Sequence, residues 1–417
     1  MIQERTNCRT CGSKRLKLIL DLGKTPLAND FLSPEEVKNY STFVPLRVVL
    51  CADCSLVQLA DTVDPKVLYS RYAYVTSNSK TMDAHLIAQR DHLLANGGFD
   101  GKKPRVMEIA SNTGLFLQKF KEKGCEVLGV EPARNISEVA MQSGVPTRCE
   151  FFTAENGKRI KAEWGAADLI LGRHVFAHID DLKGLLAGLE AVSHEKTLIA
   201  FEVPYLVDFF VNTEYDTVYH EHLSYVSVKS LVALTEKTPF FVQRVDHYPI
   251  HGGSILFHLR HRGAGVEPHR SVDEAVATEN QLHLSDPHTW EQFEKKVRSI
   301  QHELPKLLRQ LKSQGKRIIG YGASAKGNTL LNTCQLTTKD LDYIIDNTPF
   351  KQNKVAPGSW LPIRPPEALL NDQPDYAVIL AWNFAPEIIR REQEFQQKGG
   401  RFIIPIPEPR IVNFVKA

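Results

Sequence analysis

"RVMEIASNTGLFLQKF" (Arg105–Phe120) reads as strand, turn and helix in immediate succession. Apolar residues run to Ile109, a turn with one glycine follows, and apolar spacing then turns helical. A strand that feeds a helix in this way opens a parallel α/β sheet. The pattern recurs outward. "CEVLGVE" (Cys125–Glu131), "ADLILGR" (Ala167–Arg173) and "KTLIAFEV" (Lys196–Val203) are short β-rich runs with helical stretches between them. A second series starts at "KRIIGYGA" (Lys316–Ala323). It continues through "LDYIIDN" (Leu341–Asn347), "DYAVILAW" (Asp375–Trp382) and "RFIIPIP" (Arg401–Pro407). Residues 265–315 are polar and helix-prone and read as a helical connection. Residues 1–75 are short strand-like runs separated by turn residues. The expected division is 1–75, 76–264 and 265–417, in keeping with 417 residues being too long for one ordinary domain.

Composition is ordinary for a globular chain, with 42% hydrophobic and 24% charged residues. A formal net charge of +2 argues against a nucleic-acid or acidic-membrane partner. No apolar run approaches the about 20 residues of a membrane span. The start, "MIQERTNCRT", lacks the apolar core of a secretion signal, so a reducing cytoplasm is expected.

In that compartment two CxxC pairs, Cys8/Cys11 and Cys51/Cys54, point to metal. Four thiolates suit a tetrahedral zinc, and Gly12 supplies the turn after the first pair. A closed four-thiolate site is structural. The spacing between the pairs is wider than in short ribbons, and cysteines unrelated to metal are the bland alternative. Cys125, Cys149 and Cys334 are expected to be core residues.

The turn after Ile109 suggests its ligand. A dinucleotide turn needs glycines so that pyrophosphate can approach the backbone. Here Ala110 stands where a first glycine often sits, and Gly114 is alone. That favours a ligand without phosphates, such as S-adenosylmethionine. Glu131, ending the next strand, is placed to bind ribose hydroxyls. Glu108, Asn112 and Arg173 complete the candidate cofactor set, although an ordinary crossover that binds nothing has the same outline. In "HVFAHIDDL" (His174–Leu182), the four-residue spacing of His174 and His178 predicts one helical face.

"TVYHEHLSYVS" (Thr217–Ser227) concentrates Tyr219, His220, Glu221, His222 and Tyr225. As an extended segment it would place its tyrosines and glutamate opposite its histidines. The second histidine of HExxH is missing, which argues against metal. Histidine suits proton abstraction near neutral pH, glutamate can orient it, and tyrosine can donate to a developing enolate. An aromatic-rich loop that merely packs between domains is the alternative. The second turn, "GYGASAKGNTLLN" (Gly320–Asn332), is a fair phosphate cradle, with Gly320, Gly322, Ser324 and Lys326 as candidates.

Taken in order, CxxC…CxxC, "RYAYVTSNS" (Arg71–Ser79), "EIASNTG" (Glu108–Gly114), "HVFAHIDDL", "YHEHLSY" (Tyr219–Tyr225), "HGGS" (His251–Ser254) and the second turn resemble the nucleotide-sugar 3-C-methyltransferases. The resemblance covers nearly the whole chain. It implies an N-terminal zinc domain, a central class I methyltransferase domain and a C-terminal Rossmann-like domain. It further implies S-adenosylmethionine as donor and a nucleotide-linked 4-keto-6-deoxysugar as substrate, held between the last two domains. By resemblance His222 is the base, Tyr219 and Glu221 flank the sugar, His178 lies near the keto oxygen, and Tyr74 covers the donor. Tyr225 joins the second turn as a substrate contact. No obligate protein partner is implied. Arg173, His174 and Ala110 depart from the expected pattern. A nicotinamide-dependent oxidoreductase, a non-catalytic zinc-ribbon binding protein and an O- or N-methyltransferase on the same scaffold remain the alternatives.

Overall fold

A computed structural model describes residues 2–69, 80–250 and 252–412 of the chain. The N-terminal region contains β1 (Ile2–Glu4), β2 (Leu16–Pro26), β3 (Phe43–Cys51), β4 (Val57–Leu59) and β5 (Asp61–Val63). The central region adds β6 (Arg105–Ile109), β7 (Glu126–Val130), β8 (Thr147–Arg148), β9 (Leu169–Arg173), β10 (Leu198–Pro204), β11 (Ser224–Tyr225), β12 (Phe240–Tyr248) and β13 (Ser254–His261). The C-terminal region holds β14 (Ile318–Tyr321), β15 (Ile344–Ile345), β16 (Ile363–Arg364), β17 (Tyr376–Ile379), β18 (Arg401–Ile404) and β19 (Arg410–Val412).

The central sheet runs β12-β13-β10-β9-β6-β7-β8. Strands β6 to β10 pair in parallel, and β13 and β12 close one edge antiparallel. Parallel strands bury both faces, which is why β9 and β10 read as continuous apolar runs. The chain goes from β6 outward to β7 and β8, then returns to β9 on the other side. The crevice at the C-terminal ends of β6 and β9 is therefore the topological switch point. The C-terminal sheet, β16-β15-β14-β17-β18-β19, reverses in the same way between β14 and β17. Both parallel sheets agree with the α/β reading.

The N-terminal sheet is not closed by its own sequence. Its order is β11-β4-β3-β2, and β11 comes from the Tyr219–Tyr225 segment. The core is shared just as widely. Helix Pro287–Ser313 starts at the Asp286 cap, whose side chain accepts from the His288 N–H, with proline at the first position. It buries Trp290, Phe293, Val297, Ile300, Leu304 and Leu308 at three- and four-residue spacing. That stripe packs in one cluster with Leu46, Val48 and Leu50 of β3 and with Ile318, Val378 and Ile403 of the C-terminal sheet. The helical connection thus serves as a common wall. Among the described residues no helix is long and apolar enough to cross a membrane.

The shared wall has a measurable consequence. Leu304→Ala, at a fully buried position, should cost about 2–5 kcal/mol. On heating, exposure of the N-terminal thiols and loss of helix content should move to lower temperature together. Two separate transitions, only one of them shifted, would show independent cores.

Candidate functional site

The four cysteines of the two CxxC pairs converge. Cys8 and Cys54 Sγ lie 3.4 Å apart, Cys11 and Cys51 Sγ 3.6 Å, and all four thiols fall within 4.8 Å of one another. A tetrahedral zinc with bonds near 2.3 Å needs edges of about 3.7 Å, so the set fits the ion. Each pair is followed by a left-handed residue, Gly12 at φ 79° and Ser55 at φ 63°. The Gly12 N–H donates to Cys8 O and the Ser55 N–H to Cys51 O, so two like knuckles face each other. Zinc held there supplies structure. Cys125 and Cys334 are buried as expected, whereas Cys149 is exposed and does not belong to the core.

At the first switch point, Glu131 ends β7 with both oxygens occupied. Oε2 accepts from the Asn112 N–H at 3.0 Å and Oε1 from the Ala133 N–H at 2.9 Å. Ala110, Asn112 and Gly114 all have positive φ, at 52°, 51° and 75°. Non-glycine residues rarely adopt this conformation, so its presence twice in five residues marks a turn shaped for more than chain reversal. A Cβ at Gly114 would also press on Val145 at 3.0 Å. Beneath the turn, the buried Glu108 Oε2 and Ser111 Oγ have no hydrogen-bond partner among the described residues. Burial pushes the Glu108 carboxyl up to about 8, with Arg173 opposing the rise. A polar, phosphate-free ligand such as S-adenosylmethionine fits this set. Tyr74 lies outside the described residues.

Arg173 and His174 both lead to Glu202, at the end of β10. Arg173 Nε lies 3.7 Å from Glu202 Oε2, and its guanidinium stacks 5.3 Å over Phe116. Fully buried Glu202 also bonds His85 Nε2 at 2.8 Å, Gln89 Nε2 at 2.5 Å and His174 Nε2 at 3.0 Å. Against the penalty of burial, these partners hold its carboxylate well below the usual range. His174 and His178 do not share a helical face. His174 is left-handed at φ 51°, and only the three-residue turn Phe176–His178 follows. The reversal sends His174 to Glu202 and His178 to the Tyr219–Tyr225 segment.

That segment is not extended. Tyr215–Thr217 is a 3-10 turn, and the His222 N–H closes a second turn onto Tyr219 O at 2.9 Å. The period-two reading fails because these turns reverse the chain before β11 begins. His222 Nδ1 lies 2.9 Å from Thr217 O, an acceptor only, so Nδ1 carries the ring hydrogen. Nε2 then accepts from the Tyr219 hydroxyl at 2.6 Å and is the basic atom. The His178 ring stands edge-on at 5.0 Å. Burial holds His222 well below its ordinary value and, with His174 nearby, lowers His178 to about 4. Both rings are neutral at pH 7. Glu221 is buried beside the pair, accepts from Asn29 Nδ2 at 2.7 Å, and is pushed by burial up to about 7. His220 turns away, toward the carbonyls of Val44 and Pro45. Tyr225 packs in the core against Phe209, with its hydroxyl unpartnered among the described residues. It helps line a cavity of about 10 Å³ beside His222, with Thr217, Ser224 and Glu214.

The C-terminal turn reaches the same place through Lys326. Its Nζ lies 3.4 Å from Glu214 Oε2 and 5.2 Å above the Trp382 ring. Trp382 Nε1 donates to Asp216 Oδ2 at 2.7 Å, and burial pushes Asp216 up to about 6. Ser324 caps the helix Ala325–Thr333, accepting from the Gly327 N–H. Gly322 has φ 90°. Gly320 has a packing reason, since a Cβ there would come within 2.9 Å of Leu380. Glu202, His85, Asn29, Asp216 and Trp382 were not among the sequence candidates. Only the alternating acids of "TEYDT" (Thr213–Thr217) carried any signal for them.

Comparison with known proteins follows the same three regions. Residues 8–69 match the family model described as "Putative zinc binding domain", 81–244 the "Methyltransferase domain" and 249–407 the "C-methyltransferase C-terminal domain". C-methyltransferase NovU of Streptomyces niveus is 39% identical over 407 residues, covering 97% of this chain and 96% of that protein. Solved structures similar to part of the chain include magnesium protoporphyrin IX methyltransferase (ChlM) of Synechocystis PCC 6803 with bound SAH. It shows 10% identity over 48% of this chain and 100% of that one, with a TM-score of 0.37. A SAM-dependent methyltransferase of Anabaena variabilis ATCC 29413 shows 17% identity over 48% and 91%, with a TM-score of 0.35.

The Asn29 bond favours the ionised form of Glu221, so removing it should raise that carboxyl further above about 7. Asn29→Ala should therefore move any pH dependence set by Glu221 ionisation to higher pH. The pH profile of kcat in both forms checks the direction, and an unmoved profile would remove Glu221 from the ionisations that matter.

Proposed function

The chain belongs to the S-adenosylmethionine-dependent C-methyltransferases, and from that premise we propose that it methylates C3 of a dTDP-linked 4-keto-6-deoxysugar through an enolate. The observation that carries this reading is His222. It is a buried neutral imidazole with a defined basic Nε2, bonded to Tyr219 and edge-on to His178.

A proton beside a ketone is weakly acidic, so a base must be held against it and the enolate oxygen stabilised. In this reading the Tyr219 hydroxyl moves its donation from His222 Nε2 to the sugar. The freed lone pair takes the C3 proton, the C3–H electrons become the enolate, and His178 donates an N–H to the developing oxyanion. Glu221, once ionised, steadies the imidazolium. The donor supplies an already activated methyl group, and Glu108, Ala110, Asn112, Gly114, Glu131 and Arg173 would hold it. A ligand ammonium near Glu108 would favour that carboxylate and draw its pKa down. The enolate carbon would form its new C–C bond to the donor's methyl as the C–S bond breaks, its electron pair leaving on sulfur as a neutral thioether, and His222 would return its proton to solvent. Gly322, Ser324 and Lys326 would face the substrate's phosphates. Positioning supplies much of the acceleration, because the reacting carbon and methyl must meet in line.

NMR of a dTDP-4-keto-6-deoxyglucose substrate in deuterated water tests the proposal. The C3 proton signal should fade with enzyme alone, and a methyl singlet should appear only with the donor present. Methyl transfer without C–H exchange would point to oxygen or nitrogen as acceptor. His222→Asn should lower kcat by about 10²–10⁴-fold while keeping donor affinity. Near-normal turnover in that variant would remove His222 as the base.

A further inference from the structure

A closed ring of hydrogen bonds and backbone that starts in the zinc region runs through the His178 backbone and passes one residue from His222. Arg9, between Cys8 and Cys11, is 2% exposed. Its Nε donates to Asp180 Oδ1 at 2.9 Å, one terminal nitrogen to Leu59 O at 2.7 Å, and the other to Thr62 Oγ1 at 2.7 Å. The Leu59 N–H donates to Leu223 O at 3.0 Å, and the Leu223 N–H to Ala177 O at 2.7 Å. Residues 177–180 then lead back to Asp180, which Arg5 also holds at 2.7 and 2.6 Å. His178 follows Ala177, and His222 precedes Leu223.

We infer that Arg9 and Asp180 are positioning residues that set the separation of His178 and His222 for proton abstraction, an inference that rests on the reading of His222 as the base. A buried guanidinium is unfavourable unless it is paired and its N–H groups are used. Here one planar fork engages a carboxylate from the methyltransferase region, the strand that carries Leu59, and a side chain of β5. Lysine has neither the fork nor the directions to do all three. The hydrogen-bonded ring fixes the backbone that carries His178 and the residue after His222, and engages neither imidazole. Arg9 and Asp180 therefore act on where the two imidazoles stand and leave the donor crevice alone.

The test uses the full-length, zinc-loaded enzyme. Asp180→Asn and Arg9→Gln should lower kcat about ten- to hundredfold, the scale of a misplacement near 1 Å. Donor Kd and sugar KM should change less than about threefold, and C3–H exchange without donor should slow by the same factor as kcat. Arg5→Gln leaves the ring closed and should cost less than about threefold. Wild-type kcat and exchange in Asp180→Asn would overturn the inference. So would parallel loss of kcat, donor affinity and zinc content, which would make the clamp a plain domain contact. If Arg9→Gln fails to fold, Arg9→Lys keeps the charge but breaks the fork, and the same kcat-selective loss is expected of it. His222→Asn separates the two ideas, since full turnover there ends the base reading itself, whatever Asp180→Asn does.

Discussion

The Leu59 N–H donates to Leu223 O and the Leu223 N–H to Ala177 O, so three separate segments share one backbone network. These backbone bonds join the zinc region to two loops of the methyltransferase sheet. Strand β11 then extends the N-terminal sheet with two residues of the central region. A sheet edge left unpaired in the interior would strand its N–H and C=O groups at high cost. Zinc is consequently more than a local staple. Held by the knuckles on either side of Arg9, it would also steady the strand that Arg9 bonds at Leu59 and that pairs with Leu223. The helix Pro287–Ser313 completes the arrangement, because one apolar stripe serves the N-terminal and the C-terminal sheets.

Charge in the site follows from exclusion of water. Glu108, Glu221 and Asp216 are pushed up to about 8, 7 and 6, with burial the largest cause in each. His178 and His222 are pushed down for the same reason. Groups in this state change protonation readily when a charged ligand or a developing oxyanion arrives. Glu202 is the contrast. It is as deeply buried, yet two imidazoles, an amide and a guanidinium keep it ionised. It reads as the fixed charge that orients Arg173 and His174.

Reading along the chain captured what depends on local order. Two CxxC pairs, two strand-turn-helix units and an acid ending the following strand are patterns within about thirty residues, the span of a βαβ unit. The structure bears out the fold and the cysteine cluster. Periodicity misled where turns are short. An extended Thr217–Ser227 segment would alternate its side chains between two faces, but its shape follows from short turns and from Leu223 pairing across regions. Four-residue spacing predicts one helical face for His174 and His178 but is silent about a left-handed residue at a strand end. Residue type alone predicts Cys149 in the core, but its thiol is exposed.

Residue type and short spacing carry the α/β class, the metal-binding thiols and the candidate donor turn, whereas His222 enters as the candidate base only through resemblance to a known family. The folded arrangement, in contrast, makes Nε2 of His222 the basic atom, joins Asn29 to Glu221 and joins Trp382 to Asp216. Likewise, it alone shows that an arginine within the zinc knuckle closes a ring around the imidazole pair. Those contacts join residues separated by 171 positions for Arg9 and Asp180, and by 192 for Asn29 and Glu221. No local propensity encodes such pairs, because they form only when three regions bury a common core.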